Sequence, residues 1–228
     1  MAERIYTKLQ TIADNVQKVY NSGYTGGYSV GYNEGYDSGH EQGMADSPAH
    51  EEVALLMSIV DRTISGEFVI PDGWRVDTYT FAYTLITKLT VPNNIYMSGA
   101  NGSYFAQMRV LEEVDWYPNG MHGYAFNNCV KLKTLRVHNK ITWVSGNFVA
   151  GCTALENFLF NSTIKIANNN FDVSKNTLLT VESLLSILSA LEDNTGGTQY
   201  TVKFGSTNLA KLTEEQKAIA TNKNIALA

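Results

Sequence analysis

Few strings in this sequence could do chemistry, and each lacks a partner that its chemistry requires. Gly27-Tyr28-Ser29-Val30-Gly31 has the Gly-x-Ser-x-Gly spacing that exposes a nucleophilic serine when it sits on a sharp strand-to-helix turn. Here it lies inside a longer glycine repeat with no strand before it, so it predicts no hydrolase. His40-Glu41 and His50-Glu51 lack the second histidine of a zinc-protease helix. Glu112-Glu113 precedes an expected strand, where neighbouring side chains point to opposite faces and cannot work as an acid/base couple. Cys129 and Cys152 fall at equivalent places in a repeat, which makes them stacked neighbours. A metal would need further ligands in phase with them, and none is present. Buried free thiols are the expected state, with a disulfide between them as the alternative. Asn101-Gly102-Ser103 and Asn161-Ser162-Thr163 match the glycosylation acceptor, which matters only on an exported chain. No phosphate loop or dinucleotide fingerprint occurs. The expectation is a protein without catalytic residues, metal or cofactor.

The elements that would position any site fit a globular protein. Apolar residues make up 44% of the 228 and charged residues 17%, enough to build a substantial core. A net charge of -5 and the absence of a basic run argue against a nucleic-acid partner. Lys131, Lys133, Arg136, His138 and Lys140 form a basic cluster, read as a solvated strand edge. No stretch has the length of a membrane span, and Met1 to Gln10 lacks the apolar core of a signal peptide. The expectation is therefore a cytoplasmically made protein, not inserted in a membrane, and the two cysteines suit a reducing compartment.

Four segments follow along the chain. Residues 1–22 carry Ile5, Leu9, Ile12, Val16 and Val19 at helical spacing and predict an amphipathic helix. Residues 23–48 are a tetrad repeat, with glycines at 23, 27, 31, 35, 39 and 43, four of them followed by tyrosine. As a helix, each tetrad advances about 400°, giving a slowly rotating glycine stripe suited to close helix approach. Six glycines cost on the order of 1 kcal/mol each in helix propensity, so the segment is either a linker or a helix formed against a partner. In the second case Gly27, Tyr28, Gly31, Tyr32, Gly35 and Tyr36 are the candidate oligomerisation residues. Residues 49–176 open with a helix from about Ala49 to Asp61, whose expected apolar face is Val53, Leu56, Met57 and Val60.

The repeats come next. The unit reads apolar-x-apolar, a further apolar residue, then an aromatic: Phe68-x-Ile70 with Trp74 and Phe81, Leu89-x-Val91 with Ile95 and Phe105, Val114-x-Trp116 with Met121 and Phe126, Leu135-x-Val137 with Ile141 and Phe148, Phe158-x-Phe160 with Ile164 and Phe171. Starts at 68, 89, 114, 135 and 158 give steps of 21 to 25 residues, the leucine-rich-repeat range. One unit cannot bury its apolar face alone, but stacked units can, with a parallel sheet on one side. Asn93, Asn94, Asn119, Asn139 and Asn161 crowd the turns after the strands, where asparagine tolerates left-handed geometry.

Residues 177–228 read as a helix over Val181 to Leu191 capped by Thr180 or Thr177, a strand over Tyr200 to Phe204, a helix from Thr213 with Gln216 completing a capping box, and a strand over Ile225 to Leu227. The fold class is α/β: a short leucine-rich-repeat solenoid with N-terminal helices and a C-terminal α/β cap. The middle residue of each strand should point outward, namely Val69, Thr90, Asp115, Arg136 and Leu159, joined by Lys88, Glu113, Tyr117, Thr134 and His138. Thr90, Asp115, Tyr117, Arg136 and His138 are the candidate binding face, set against a plain solvated surface on which Asp115 and Arg136 pair only with each other.

The units YAFNNCVKLKTLRV and NFVAGCTALENFLF resemble BspA-type leucine-rich repeats, whose pattern is aromatic-Ala-x-Cys-x-x-Leu-x-x-Leu. The opening KLQTIADNVQKVY and the closing NLAKLTEEQKAIATNKNIALA resemble segments of tail-associated phage and prophage proteins. The resemblance spans the chain except the Gly-Tyr tetrads; the first three repeats lack the cysteine, and Ser103-Tyr104 stands where Tyr-Ala would. It implies a non-enzymatic virion protein of the tail, baseplate or fibre, made in the host cytoplasm. Its implied partners are other virion proteins, further copies of itself and a host receptor or glycan. A bacterial surface adhesin with the same repeat is the alternative.

Overall fold

The computed structural model describes residues 14, 15, 18, 48–98, 102–121, 123–144, 146–166 and 171–228. The Gly-Tyr tetrads, including Gly27, Tyr28, Gly31, Tyr32, Gly35 and Tyr36, lie outside the described residues, as do Ser29 and His40-Glu41. Two compact units divide the chain, Met1–Ile64 and Ser65–Ala228.

In the first unit, helix α1 spans Pro48–Val60. Proline suits its opening position, where the missing N–H has no partner to lose and φ is already helical. Its last turn closes as Thr63 and Ile64 N–H both reach the Ser58 carbonyl. The buried stripe is Leu56 and Ile59, whereas Met57 and Val60 are exposed. That corrects the expected face: Leu56 and Ile59 also obey the three-residue spacing, one step round from the stripe through Met57 and Val60.

The second unit is built on one parallel sheet. Its strands are β1 (Ser65–Val69), β3 (Leu85–Val91), β5 (Glu113–Trp116), β7 (Thr134–Val137) and β9 (Asn157–Phe160), lying side by side in chain order. The expected apolar-x-apolar pairs of the three middle strands land inward, and in the two end pairs Ile70 and Phe158 are buried while Phe68 and Phe160 are half-buried. Leu89, Val91, Val114, Trp116, Leu135, Val137 and Phe158 are fully buried. Short strands β2 (Arg75–Val76), β4 (Tyr96–Met97), β6 (Gly120–Met121) and β8 (Trp143–Val144) pair as β2 with β4 and β6 with β8. Bridges from Ile141 to Ile164 to Leu191 carry this second wall onward.

Aromatic rings fill the space between the walls. Phe81 stacks on Phe105 at 5.7 Å and Phe105 on Phe126 at 5.3 Å. The stack then turns: Phe148 meets Phe126 at 85°. Phe126 precedes Cys129 by three residues, whereas Phe148 precedes Cys152 by four, so the ring arrives out of phase. Trp116 stands nearly perpendicular to Phe105, Phe126 and Phe148, and its buried Nε1–H has no hydrogen-bond partner among the described residues.

A second buried ladder runs through the turns before the strands. Cys129 and Cys152 donate their thiols to the carbonyls of Phe105 and Phe126 at 3.2 and 3.1 Å. In the next turn Asn176 takes over, donating to Val149 O and Cys152 O at 3.2 and 3.0 Å. Asn208 then repeats the gesture on Val173 O and Asn176 O. A one-donor thiol reaches one carbonyl, while a two-donor amide bridges two.

Helix α2 (Val181–Ala190) begins at N-cap Thr180, whose side chain accepts from Ser183 N–H. It lies along the far edge of β9. Ser183 Oγ accepts from Phe158 N–H at 2.7 Å and Ser186 Oγ from Phe160 N–H at 2.8 Å. These two N–H groups would otherwise be an open sheet edge, so hydroxyls substitute for a sixth strand. Strand β10 (Tyr200–Val202), helix α3 (Gly205–Leu209), helix α4 (Glu214–Thr221) and strand β11 (Ile225–Leu227) complete the unit, with β10 parallel to β11. The capping box of Thr213 and Gln216 forms as expected. Helix α3 was not expected. Lys223 closes the C-terminus of α2, its ammonium donating to the carbonyls of Leu188, Ser189 and Leu191.

Candidate binding face

The outward side chains of the long sheet form registered rows. One row is Glu67, Lys88, Glu113, Thr134 and Asn157, and the next is Val69, Thr90, Asp115, Arg136 and Leu159. Tyr117, His138 and Asn161 follow β5, β7 and β9 and extend the rows, each N–H donating to a carbonyl of the preceding strand. All five candidate residues, Thr90, Asp115, Tyr117, Arg136 and His138, thus share this face.

Its charges are largely spent on each other. Lys88 pairs with Glu67, Lys133 with Glu112 and Lys140 with Glu192. The Arg136 guanidinium lies 3.1 Å from Glu113 and 3.9 Å from Asp115, so the expected exclusive pairing of Asp115 with Arg136 does not form. Asp115 instead meets His138 Nε2 at 2.8 Å. The reason is reach: along a diagonal the short carboxylate finds the imidazole, and the longer arginine extends to the next row. Asn161 donates its amide to His138 Nδ1 at 3.1 Å, which leaves Nε2–H to donate to Asp115. The imidazole also stacks on Tyr117, with centroids 4.3 Å apart and planes 9° from parallel.

Of the turn asparagines, Asn139 and Asn161 act through their side chains and not through left-handed backbone. Asn139 donates to Tyr117 O and Asn161 to His138, each tying one repeat to the one before. Left-handed φ occurs at Tyr83, Gln107 and Asn128, and among the turn asparagines 93, 94, 119, 139 and 161 at none. The carbonyl of the asparagine turn is instead already committed, as Asn119 O accepts from Thr142 N–H.

The other sequence candidates are placed as follows. Glu112 and Glu113 both reach across to the next repeat, one to Lys133 just before β7 and one to Arg136 on β7, and form no carboxyl couple. Cys129 and Cys152 are buried free thiols. Burial pushes the Cys129 thiol up to about 12, and burial with the neighbouring Cys129 holds Cys152 well above its ordinary value. Among the described residues no three His, Cys, Asp or Glu side chains gather as a metal site, and no helix is long and apolar enough to cross a membrane.

A parallel sheet built from a recurring apolar-x-apolar unit, with short second strands and a mixed α/β surround, fits a leucine-rich-repeat protein. Residues 75–191 match the BspA-type leucine-rich repeat region in six copies, and the chain belongs to that family. The match holds one copy more than the five expected and runs past Asn176 through α2, where a helix occupies the place of a strand. Compared with curated proteins and with solved structures, the chain finds no match.

Proposed function

We propose that this chain is a non-enzymatic binding and assembly protein, a short solenoid whose repeats present a rigid surface. The observation that carries this reading is the registered outward grid: rows fixed by cross-strand ion pairs and by the Tyr117–His138 stack, offering a preordered face. In the finer reading it is a phage virion protein of the tail, baseplate or fibre, made in the host cytoplasm. It contacts other virion proteins and its own copies, and serves assembly or host attachment through a receptor or glycan. Supporting this are the resemblances of its two terminal segments to tail-associated proteins. Nucleic acid and membrane insertion play no part in it.

The family match equally suits a cell-surface adhesin, which is the second reading. Immunogold electron microscopy and mass spectrometry of purified particles separate the two. Label at one defined place on tails supports the virion role. Label confined to intact bacterial surfaces, with particles unlabelled, replaces it with the adhesin.

A further inference from the structure

The long sheet's cations all have acidic partners, but the edge formed by the turns before the strands differs. Tyr83, Leu85 and Val130 are 55%, 50% and 42% exposed there. Arg109 and Lys131 are exposed beside them. Among the described residues neither has an ion pair, and the Arg109 guanidinium sits 5.5 Å from the centre of the Tyr83 ring. Arg109 and Val130 each directly follow the buried turn residue of their repeat, Met108 and Cys129, so they stack on successive turns roughly 4.8 Å apart.

The backbone adds a second observation. The residue directly before the turn ladder is left-handed in four successive repeats: Tyr83, Gln107, Asn128 and Gly151, with φ of 64, 66, 59 and 76°. Asparagine and glycine adopt that conformation cheaply, whereas a tyrosine pays for it. Folding alone favours the choice made at 128 and 151. A strained, half-exposed tyrosine at 83, beside an unpaired arginine, is the pattern of a residue kept for contact.

We infer that Tyr83, Leu85, Arg109, Val130 and Lys131 form a docking edge for an acidic, amphipathic segment of another protein. Two cations are too few to hold a polyanion through phosphate neutralisation. Apolar contact must supply the affinity, with the cations selecting carboxylates at the rim. This surface meets the sheet only at Leu85, the first residue of β3, and shares no residue with the candidate face, and the inference stands whether the protein belongs to a virion or to a cell surface.

The test uses the full chain and a dye-labelled helical peptide of leucine and glutamate, read by fluorescence anisotropy. The peptide binds, and the double variant Arg109→Glu with Lys131→Glu weakens it about tenfold or more, the scale of a lost rim pair on each residue. Tyr83→Asn also weakens binding while raising Tm by about 2–4 °C, because strain is relieved. Lys217→Glu, a charge reversal on α4, leaves binding unchanged. The inference is overturned if the peptide does not bind, if a leucine–lysine peptide binds as well, or if polyglutamate matches it. Equal loss with Lys217→Glu, or preference for phosphatidylglycerol vesicles over the peptide, overturns it too.

Discussion

Each strand of the repeat sheet carries two sets of side chains one residue apart, and they hold different kinds of information. The inward set is apolar, closely packed and nearly interchangeable from repeat to repeat: Leu89, Val114, Leu135, Phe158. The outward set, apart from Val69 and Leu159 on the two end strands, is polar and individual, and its partners lie on neighbouring strands: Glu67 with Lys88, Glu113 with Arg136, Asp115 with His138. Stability should therefore reside inward and specificity outward. Substitutions can break that division or sharpen it.

The largest loss is expected at the centre of the ring stack. Phe126→Ala should cost about 3–5 kcal/mol by urea denaturation, since it opens a cavity against Phe105, Trp116 and Phe148. Trp116→Phe is the sharpening control. It removes a buried N–H that has no partner among the described residues, so its cost should stay below about 1.5 kcal/mol. A Trp116→Phe loss as large as that of Phe126→Ala would show that the indole is held by something beyond packing.

Alkali comes next. The Cys129 thiol rises from 9.0 in the unfolded chain to about 12 in the fold, so the protonated form is the one the fold favours. Stability from this group is complete below pH 9 and is lost as pH climbs toward 12, on the order of 4 kcal/mol at the end of that window. The wild type should lose this much relative to Cys129→Ala across the same range, and parallel curves would refute it. Native protein should also resist Ellman's reagent at neutral pH and react once unfolded.

Asn176→Ala should cost about 2–3 kcal/mol, because two buried side-chain hydrogen bonds are lost together; the Val149 and Cys152 carbonyls keep only the backbone N–H groups of Cys152 and Leu155. Joint replacement of Ser183 and Ser186 by alanine should cost about 1–2 kcal/mol and raise light scattering as protein concentration increases, since the β9 edge is then open. The smallest effect belongs to the outward set: Arg136→Ala should change stability by no more than about 0.5 kcal/mol, because its carboxylate partners are themselves partly exposed. A cost rivalling that of Asn176→Ala would abolish the division between the two sets.

The same division decides what could be read from sequence. Inward positions repeat with a period, so the strands at Leu89, Val114, Leu135 and Phe158 were legible, as were the caps at Thr180 and Thr213, which are local events of a few residues. Outward partners were not. Whether Asp115 takes His138 or Arg136 depends on side-chain reach across strands, which no spacing rule encodes. Helix α3 escaped because five residues without a side-chain cap leave no periodicity to detect. The ladder through Asn176 did leave a trace: Val173-x-x-Asn176-x-x-Leu179 repeats Val149-x-x-Cys152-x-x-Leu155, with an amide in the thiol's place. The left-handed position at 83 was masked because a tyrosine stands where asparagine or glycine would signal it.

The serine hydroxyls along β9 also bear on how such a protein can change in length. A strand added beyond β9 would have to displace Ser183 and Ser186 from the N–H groups of Phe158 and Phe160. New copies can instead be spliced between β1 and β9 at no such penalty. Each would carry α2 and everything after it outward by roughly 4.8 Å, with its contacts intact. At the β9 end, lengthening by insertion and not by extension is the route this architecture leaves open.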